Sequence, residues 1–255
     1  MDKMYHINLD DTHGAAYAIL PGDPGRVEKI AAYLDNPRFM SQNREYTTWL
    51  GELGGENVLV MSTGMGGPST AIGVEELYMT GVRNFIRIGT CGGMHLDVKG
   101  GDLVIATGAI RMEGTSKEYV PIEFPAIANL DLTNALVHAA KAKGYAYHAG
   151  VVQCKDSFYG QHSPDRMPSG PELMQKWDAW IKANCLASEM ESASLFIVTQ
   201  ILGAKSACIL NTIWNQERAR KGLDDPHSHD TSKAIEVAVE AIRNLIGAQF
   251  LQAYK

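Results

Sequence analysis

Six short aliphatic or β-branched runs, each bounded by glycine or proline, alternate along the chain with segments whose apolar residues recur at helical spacing. The runs cover 15–20, 58–63, 85–90, 102–110, 148–154 and 206–213; the helical segments cover 24–34, 68–80, 131–143, 171–183, 191–202 and 230–246. Parallel strands need crossovers, and helices between strands supply them. The alternation therefore predicts an α/β fold, with a central mixed or mostly parallel sheet flanked by helices. "REYTTWLGEL" leads through Gly54-Gly55 into "ENVLVM", and a Gly-Gly pair tolerates the positive φ of a tight hairpin turn. No internal repeat or low-complexity linker divides the 255 residues, so one domain over 1–255 is expected. The polar, Gly/Pro-broken segment 215–229 reads as a loop at a site mouth or on a solvated surface.

Composition narrows the function. The apolar share of 45% is ample for a sizeable core, and a net charge of -6 argues against a broad basic face for nucleic acid. No run reaches the length of a membrane span, and "MDKMYHINLDD" is too polar for a signal peptide, so a cytoplasmic protein is expected. Cys91, Cys154, Cys185 and Cys208 form no C-x-x-C pair, which points to reduced thiols and away from a zinc site or a disulfide framework.

The stretch "RIGTCGG" places Arg87 inside an otherwise apolar strand that dissolves into glycines. A buried guanidinium needs a partner, either a carboxylate of the same chain or a bound anion such as phosphate. Two other strand ends offer anion-binding parts. In "PGDPGRVEKI" a glycine turn leads into a helix with Arg26 in its first turn, although this stretch alone favours an ion pair of Arg26 with Glu28 or a surface carboxylate. In "STGMGGPSTAIGVEEL" Gly64 and Gly66 open a G-x-G-x-x-G pattern whose third position is Ser69, so a dinucleotide loop is disfavoured and a glycine nest remains. Ligands of open α/β sheets bind beyond the carboxyl ends of strands, which would bring Gly22, Arg26, Gly64 to Thr70, Arg87 and Thr90 to one pocket.

Two further motifs suit a nucleoside. Glu189 and Glu191 flank Met190 where a helix begins; a carboxylate there either complements the helix dipole or accepts two hydroxyls of a sugar. In "CKDSFYGQHSPDRMP", Phe158 could cover a ring, and the amide of Gln161 offers one donor and one acceptor to an imide edge.

Taken in order and spacing, "LPGDPGRVEKIA", "REYTTW", "STGMGGPSTAI", "RIGTCGG", "FYGQ" and "EMES" resemble the nucleoside phosphorylase family, most of all its uridine-cleaving branch, from about Tyr5 to Ile246. The resemblance implies a single domain around a mixed, barrel-like sheet, and phosphate-dependent cleavage of uridine to uracil and ribose 1-phosphate. By position it assigns phosphate to Gly22, Arg26, Arg87 and Thr90, with Arg44 reaching a neighbouring subunit's site. It assigns ribose to Met190 and Glu191, with His6 crossing over, and the base to Phe158 and Gln161. The catalytic set is then Arg87, Gln161 and Glu191. Glu45 and Ser69 match residues that hold a monovalent cation at a dimer interface in some relatives; no other cofactor and no metal is implied. The assembly implied is a homo-oligomer, either a dimer or a hexamer built as a trimer of dimers.

The chain departs from the family's pattern where the base sits. Ser163 stands where an arginine follows the base-binding glutamine, and Gln216 where one follows the Asn near the last strand, which leaves Arg166, Gln216 or Arg218 through water to read uracil O4. Trp214 stands where the hexameric purine enzymes carry an aspartate that protonates N7, so purines are disfavoured. A purine nucleoside phosphorylase is the alternative, ahead of a nucleoside hydrolase or a non-catalytic nucleoside-binding relative.

Overall fold

Everything in the computed structural model, which describes residues 2–253, is arranged around β5 (Asn84–Gly93); residues 1, 254 and 255 of the expected domain lie outside the described residues. One edge of β5 pairs in parallel with β10 (Lys205–Asn215) along its whole length. The other edge changes partner. It pairs in parallel with β1 (Tyr17–Pro21) as far as Ile88, then antiparallel with β9 (Ala187–Glu189) at Gly92 and Gly93. From β10 the sheet continues antiparallel to β6 (Leu103–Met112), then parallel to β8 (Tyr147–Lys155) and parallel to β9, so that β5, β10, β6, β8 and β9 close a ring. A spur runs outward from β1 through β4 (Glu56–Met61), β3 (Tyr46–Leu53) and β2 (Asp35–Asn43), and the two-residue β7 (Ala126–Ile127) pairs with β6. This is the mixed, barrel-like α/β sheet that the sequence implies, in one domain.

Helices cover both sides of the sheet. α2 (Gly67–Met79) and the almost wholly buried α7 (Ser192–Ile201) pack in one core with Leu20, Leu59 and Phe85. The short α1 (Val27–Ala31), α4 (Leu130–Ala142) and α9 (Ser232–Ala253) pack in the other, with Ile19, Ile86 and Ile209. Alternate residues of β1 and β5 thus point into opposite cores, as the period of a strand requires. α3 (Thr115–Tyr119), α5 (Phe158–His162), α6 (Gly170–Lys182) and α8 (Gln216–Arg220) border the strand ends. No helix among the described residues is long and apolar enough to cross a membrane.

Three expectations need correction. The segment 24–34 is not one helix: a 3-10 turn over Pro24–Arg26 leads into α1, and β2 starts at Asp35. β2 hides in the sequence because it is an exposed edge strand that carries Asp35, Asn36 and Pro37, letters that otherwise signal a turn. Glu189 ends a three-residue strand, and only Glu191 stands at the helix boundary, as the residue before α7. The stretch 215–229 is not all solvated loop, since Asn215, Gln216 and Arg218 are buried. Their polar groups turn inward: Asn215 accepts from the Glu217 and Arg218 amides and donates to the His95 and Val98 carbonyls, while Arg218 donates to the Leu96 and Asp224 carbonyls.

Candidate active site

The change of partner along β5 opens the sheet. Between Ile88 and Gly92 that edge has left β1 and not yet met β9, and Gly89, Thr90, Cys91 and Gly92 line a cleft of about 780 Å³. Gly22, Arg26 and Arg87 line one end of it, and Phe158, Gln161 and Trp214 also face it.

Arg87 is 5% exposed, and both sequence-level answers to its charge are present in part. Its Nε donates to Glu189 Oε2 at 3.2 Å and its Nη2 donates to Glu191 Oε2. Nη1 is buried with no partner among the described residues, and it faces Gly22: a Cβ built on that glycine would lie 3.8 Å from it and 3.1 Å from the Gly64 carbonyl. Gly89 makes room for the guanidinium, since a Cβ there would fall 2.6 Å from Nη2. Burial alone would lower the pKa of Arg87, but Glu191 and Glu189 outweigh it and raise it. The guanidinium is thus a permanent cation held by two carboxylates, with one donor left for an anion. Arg26 is half-buried beside it; its nearest carboxylate is Asp23, at 3.8 Å, and not Glu28.

The two glutamates differ. Burial pushes the Glu189 carboxyl up, yet Arg87, the Ser192 hydroxyl and the amides of Glu191 and Ser192 together hold it below the usual range. Glu191 has fewer donors, the Gly66 amide at 2.6 Å and Arg87, and burial with the Glu189 charge pushes its pKa up. Met190 lies between them on the cleft wall.

At the base end the sequence-predicted residues divide. Gln161 and Phe158 face the cleft from α5; Gln216 borders a second chamber of about 280 Å³ that Gln161 also lines. Gln161 Oε1 accepts from Ser188 Oγ at 2.9 Å, and its Nε2 lies 3.4 Å from Gln216 Oε1, so its amide nitrogen is the group offered to a ligand. The structure does not bring Arg166 to this place. It is exposed, with its guanidinium 5.1 Å from the Tyr159 ring centroid, because the turn at Pro164–Arg166 carries it away from the strand ends. Arg218 is spent on backbone carbonyls. Trp214 stacks on His162 at 6.3 Å in the cleft, an apolar wall where the purine enzymes were expected to place an acid.

Sequence reasoning passed over Lys155, Ser188 and His162, all of which line the cleft. Lys155 carries the same cue as Arg87, a charge in a buried strand, but it lies one residue past the apolar run 148–154 that marks β8 in the sequence.

Neither His6 nor Arg44 lines this cleft, and the segments that carry them adjoin. Asn43 donates to the His6 carbonyl at 2.7 Å, and the exposed Arg44 lies 5.9 Å from the Tyr5 ring. His6 Nδ1 is 2.6 Å from Glu76 Oε1. Arg44 holds a left-handed φ of 53° at the tip between β2 and β3, a conformation uncommon outside glycine and asparagine. Glu45 and Ser69 flank Gly64, where a Cβ would meet Glu45 Cγ at 2.9 Å and Ser69 Oγ at 3.4 Å.

Comparison with known proteins places the sequence in a family. The family described as the phosphorylase superfamily matches residues 16–249. A uridine phosphorylase of Treponema pallidum is 55% identical over 96% of this chain and 95% of its own. A uridine phosphorylase of Escherichia coli is 40% identical over 95% of this chain and 98% of its own. A guanosine phosphorylase of Halorubrum lacusprofundi is 36% identical over 97% of this chain and 98% of its own.

Proposed function

This chain belongs to the phosphorylase superfamily, and from that membership we propose that it is a uridine phosphorylase, a pentosyltransferase that cleaves uridine with phosphate to uracil and ribose 1-phosphate. The observation that carries the phosphate half is the buried, unpartnered Nη1 of Arg87 facing Gly22. A desolvated donor of that kind is offset by an anion.

A phosphate oxygen attacks C1′ of the ribose as the C1′–N1 bond breaks, and the bonding electron pair leaves on the uracil. Gly22, Arg26, Arg87 and Thr90 hold the nucleophile in place. Met190 packs on the ribose and the free lone pairs of Glu191 accept its hydroxyls. Phe158 covers the base, and Gln161, with Gln216 behind it, reads its edge. Positioning and preorganised charge supply most of the acceleration, and no covalent enzyme intermediate is needed. Phosphate is a substrate here, so no organic cofactor enters; Glu45 and Ser69 are the candidates for a monovalent cation at a dimer contact. The whole chain, 1–255, is taken as one such domain, working in the cytoplasm, where its four buried cysteines stay reduced.

Incubation with uridine, thymidine, inosine and adenosine, each with and without phosphate, tests the reading. Base release from uridine only with phosphate is expected. Release from purine nucleosides instead would favour a purine nucleoside phosphorylase, and equal release without phosphate would remove the role given to Arg87.

We also read the active assembly as a homo-oligomer with shared sites, because the adjoining segments that carry His6 and Arg44 lie outside their own cleft. Inactive Arg44→Ala and Arg87→Ala subunits, once co-assembled, should regain part of the activity. Mixed oligomers that stay inactive would confine Arg44 to a role within its own chain.

A further inference from the structure

Lys155 ends β8 with its side chain 5% exposed, and it lines both the cleft and the smaller chamber beyond Gln161. Its ammonium donates to Ser188 Oγ at 2.6 Å. The two carboxylates whose charge it feels, Glu189 and Glu191, are hydrogen-bonded to Arg87 instead. A buried ammonium whose hydrogen-bond partner is a neutral hydroxyl is costly to fold, and such a cost persists where function uses it. Ser188 ties this cation to the base-reading amide: its hydroxyl lies 2.9 Å from Gln161 Oε1 and 2.8 Å from Gln153 Oε1, and accepting from Lys155 turns its proton toward them. The lysine stands in the part of the molecule where neither Arg166 nor Arg218 presents a charge.

Resting on the uridine reading above, we propose that Lys155 is the cation that stabilises the pyrimidine anion as it leaves the ribose, while Ser188 positions it and couples it to Gln161. When the C1′–N1 bond breaks, its electron pair spreads from N1 onto the carbonyl oxygens of the base. The ammonium lies on the chamber wall that Gln161 shares, so the negative charge grows next to a positive charge already in place. Such an arrangement favours the transition state over the bound nucleoside, which is neutral. It also favours bases that carry charge on an exocyclic oxygen, as uracil does, over adenine, which has none.

The test compares two leaving groups. Uridine and 5-fluorouridine differ in that fluorine already stabilises the departing anion, so a missing cation should matter less for the fluorinated base. In Lys155→Met, kcat for uridine should fall by on the order of 10²–10³, the usual loss for one preorganised electrostatic group. The loss for 5-fluorouridine should be several-fold smaller, with KM for phosphate close to wild type. The variant should melt no lower than the wild type, since a buried charge has been removed. Lys155→Gln should behave in the same way and guards against a packing effect of methionine. Equal losses for the two nucleosides would overturn the proposal, as would full activity of Lys155→Met. Failure of both variants to fold would make the ammonium structural and would overturn it too. A wild type inert toward both nucleosides in phosphate would sink the uridine reading itself, before any variant is made.

Discussion

The two ends of the cleft each hold a buried cation on a sheet strand, and they are built in opposite ways. Arg87 is clasped by Glu189 and Glu191, and its surroundings are fully specified by hydrogen bonds apart from the one nitrogen turned toward Gly22. Lys155 leans on a serine hydroxyl and has no carboxylate hydrogen-bonded to it among the described residues. The difference separates two demands. An incoming phosphate brings its own charge and needs a fixed geometry, which a forked guanidinium between two carboxylates supplies. A leaving base is neutral until its bond breaks and needs charge held in reserve. Changes at the arginine end should therefore damage folding and turnover together, whereas changes at the lysine end should damage turnover alone.

The sharpest break of this contrast is Arg87→Ala. Turnover should fall by on the order of 10²–10³. Two buried carboxylates would also lose their cation, which costs about 3–5 kcal/mol of stability, readable as a lower urea midpoint. A variant that loses turnover but keeps its midpoint would make the two ends alike. Gln161→Ala should be milder. Loss of one neutral hydrogen bond to the base lowers kcat/KM for uridine by roughly tenfold, with KM for phosphate unchanged. Arg166→Ala serves as its control and should alter neither constant, because that arginine packs on Tyr159 outside the cleft.

The smallest effect is on pH. Glu189 has a lower pKa in the folded chain than in the unfolded one, so its contribution to stability is complete above the ordinary carboxylate range and is lost as pH falls through the depressed folded value. Thermal midpoints should thus fall as pH drops below about 4.5, the ordinary value for glutamate, and Glu189→Gln should show a shallower fall. An unchanged slope in that variant would shift the burden to other carboxylates.

What the sequence revealed follows the same division. The strand ends around Gly22, Gly64 and Arg87 announce themselves, because glycines at strand-to-helix turns and an arginine among aliphatic letters are both local signals. The six strands and five of the six helices were legible for a related reason, since each has its own period. β2 was not, since an edge strand needs no apolar face and tolerates Pro37. Nor was the base end. Lys155, Ser188, Gln161 and Gln216 come from β8, β9, α5 and α8, and only the closing of the ring brings them within hydrogen-bonding distance. The misplacement of Arg166 has the same origin, because nearness in sequence to Gln161 says nothing about which way a 3-10 turn carries a side chain.

The ring also sets an order of events during synthesis. β5 emerges early, yet along its whole length it awaits β10, whose partner for Asn84 is Lys205. Glu189 lies 102 residues beyond Arg87. A nascent chain that has not yet reached Asn215 can form the β1–β4–β3 hairpin spur and several helices, but it leaves Arg87 wet and β5 open along one side. Contacts this distant in sequence form late and slowly, because the intervening loop must close before any of them is gained. The half-made protein therefore carries a buried-type strand with one edge unpaired until the last strand arrives, and an open edge of that kind is a template for pairing with another chain.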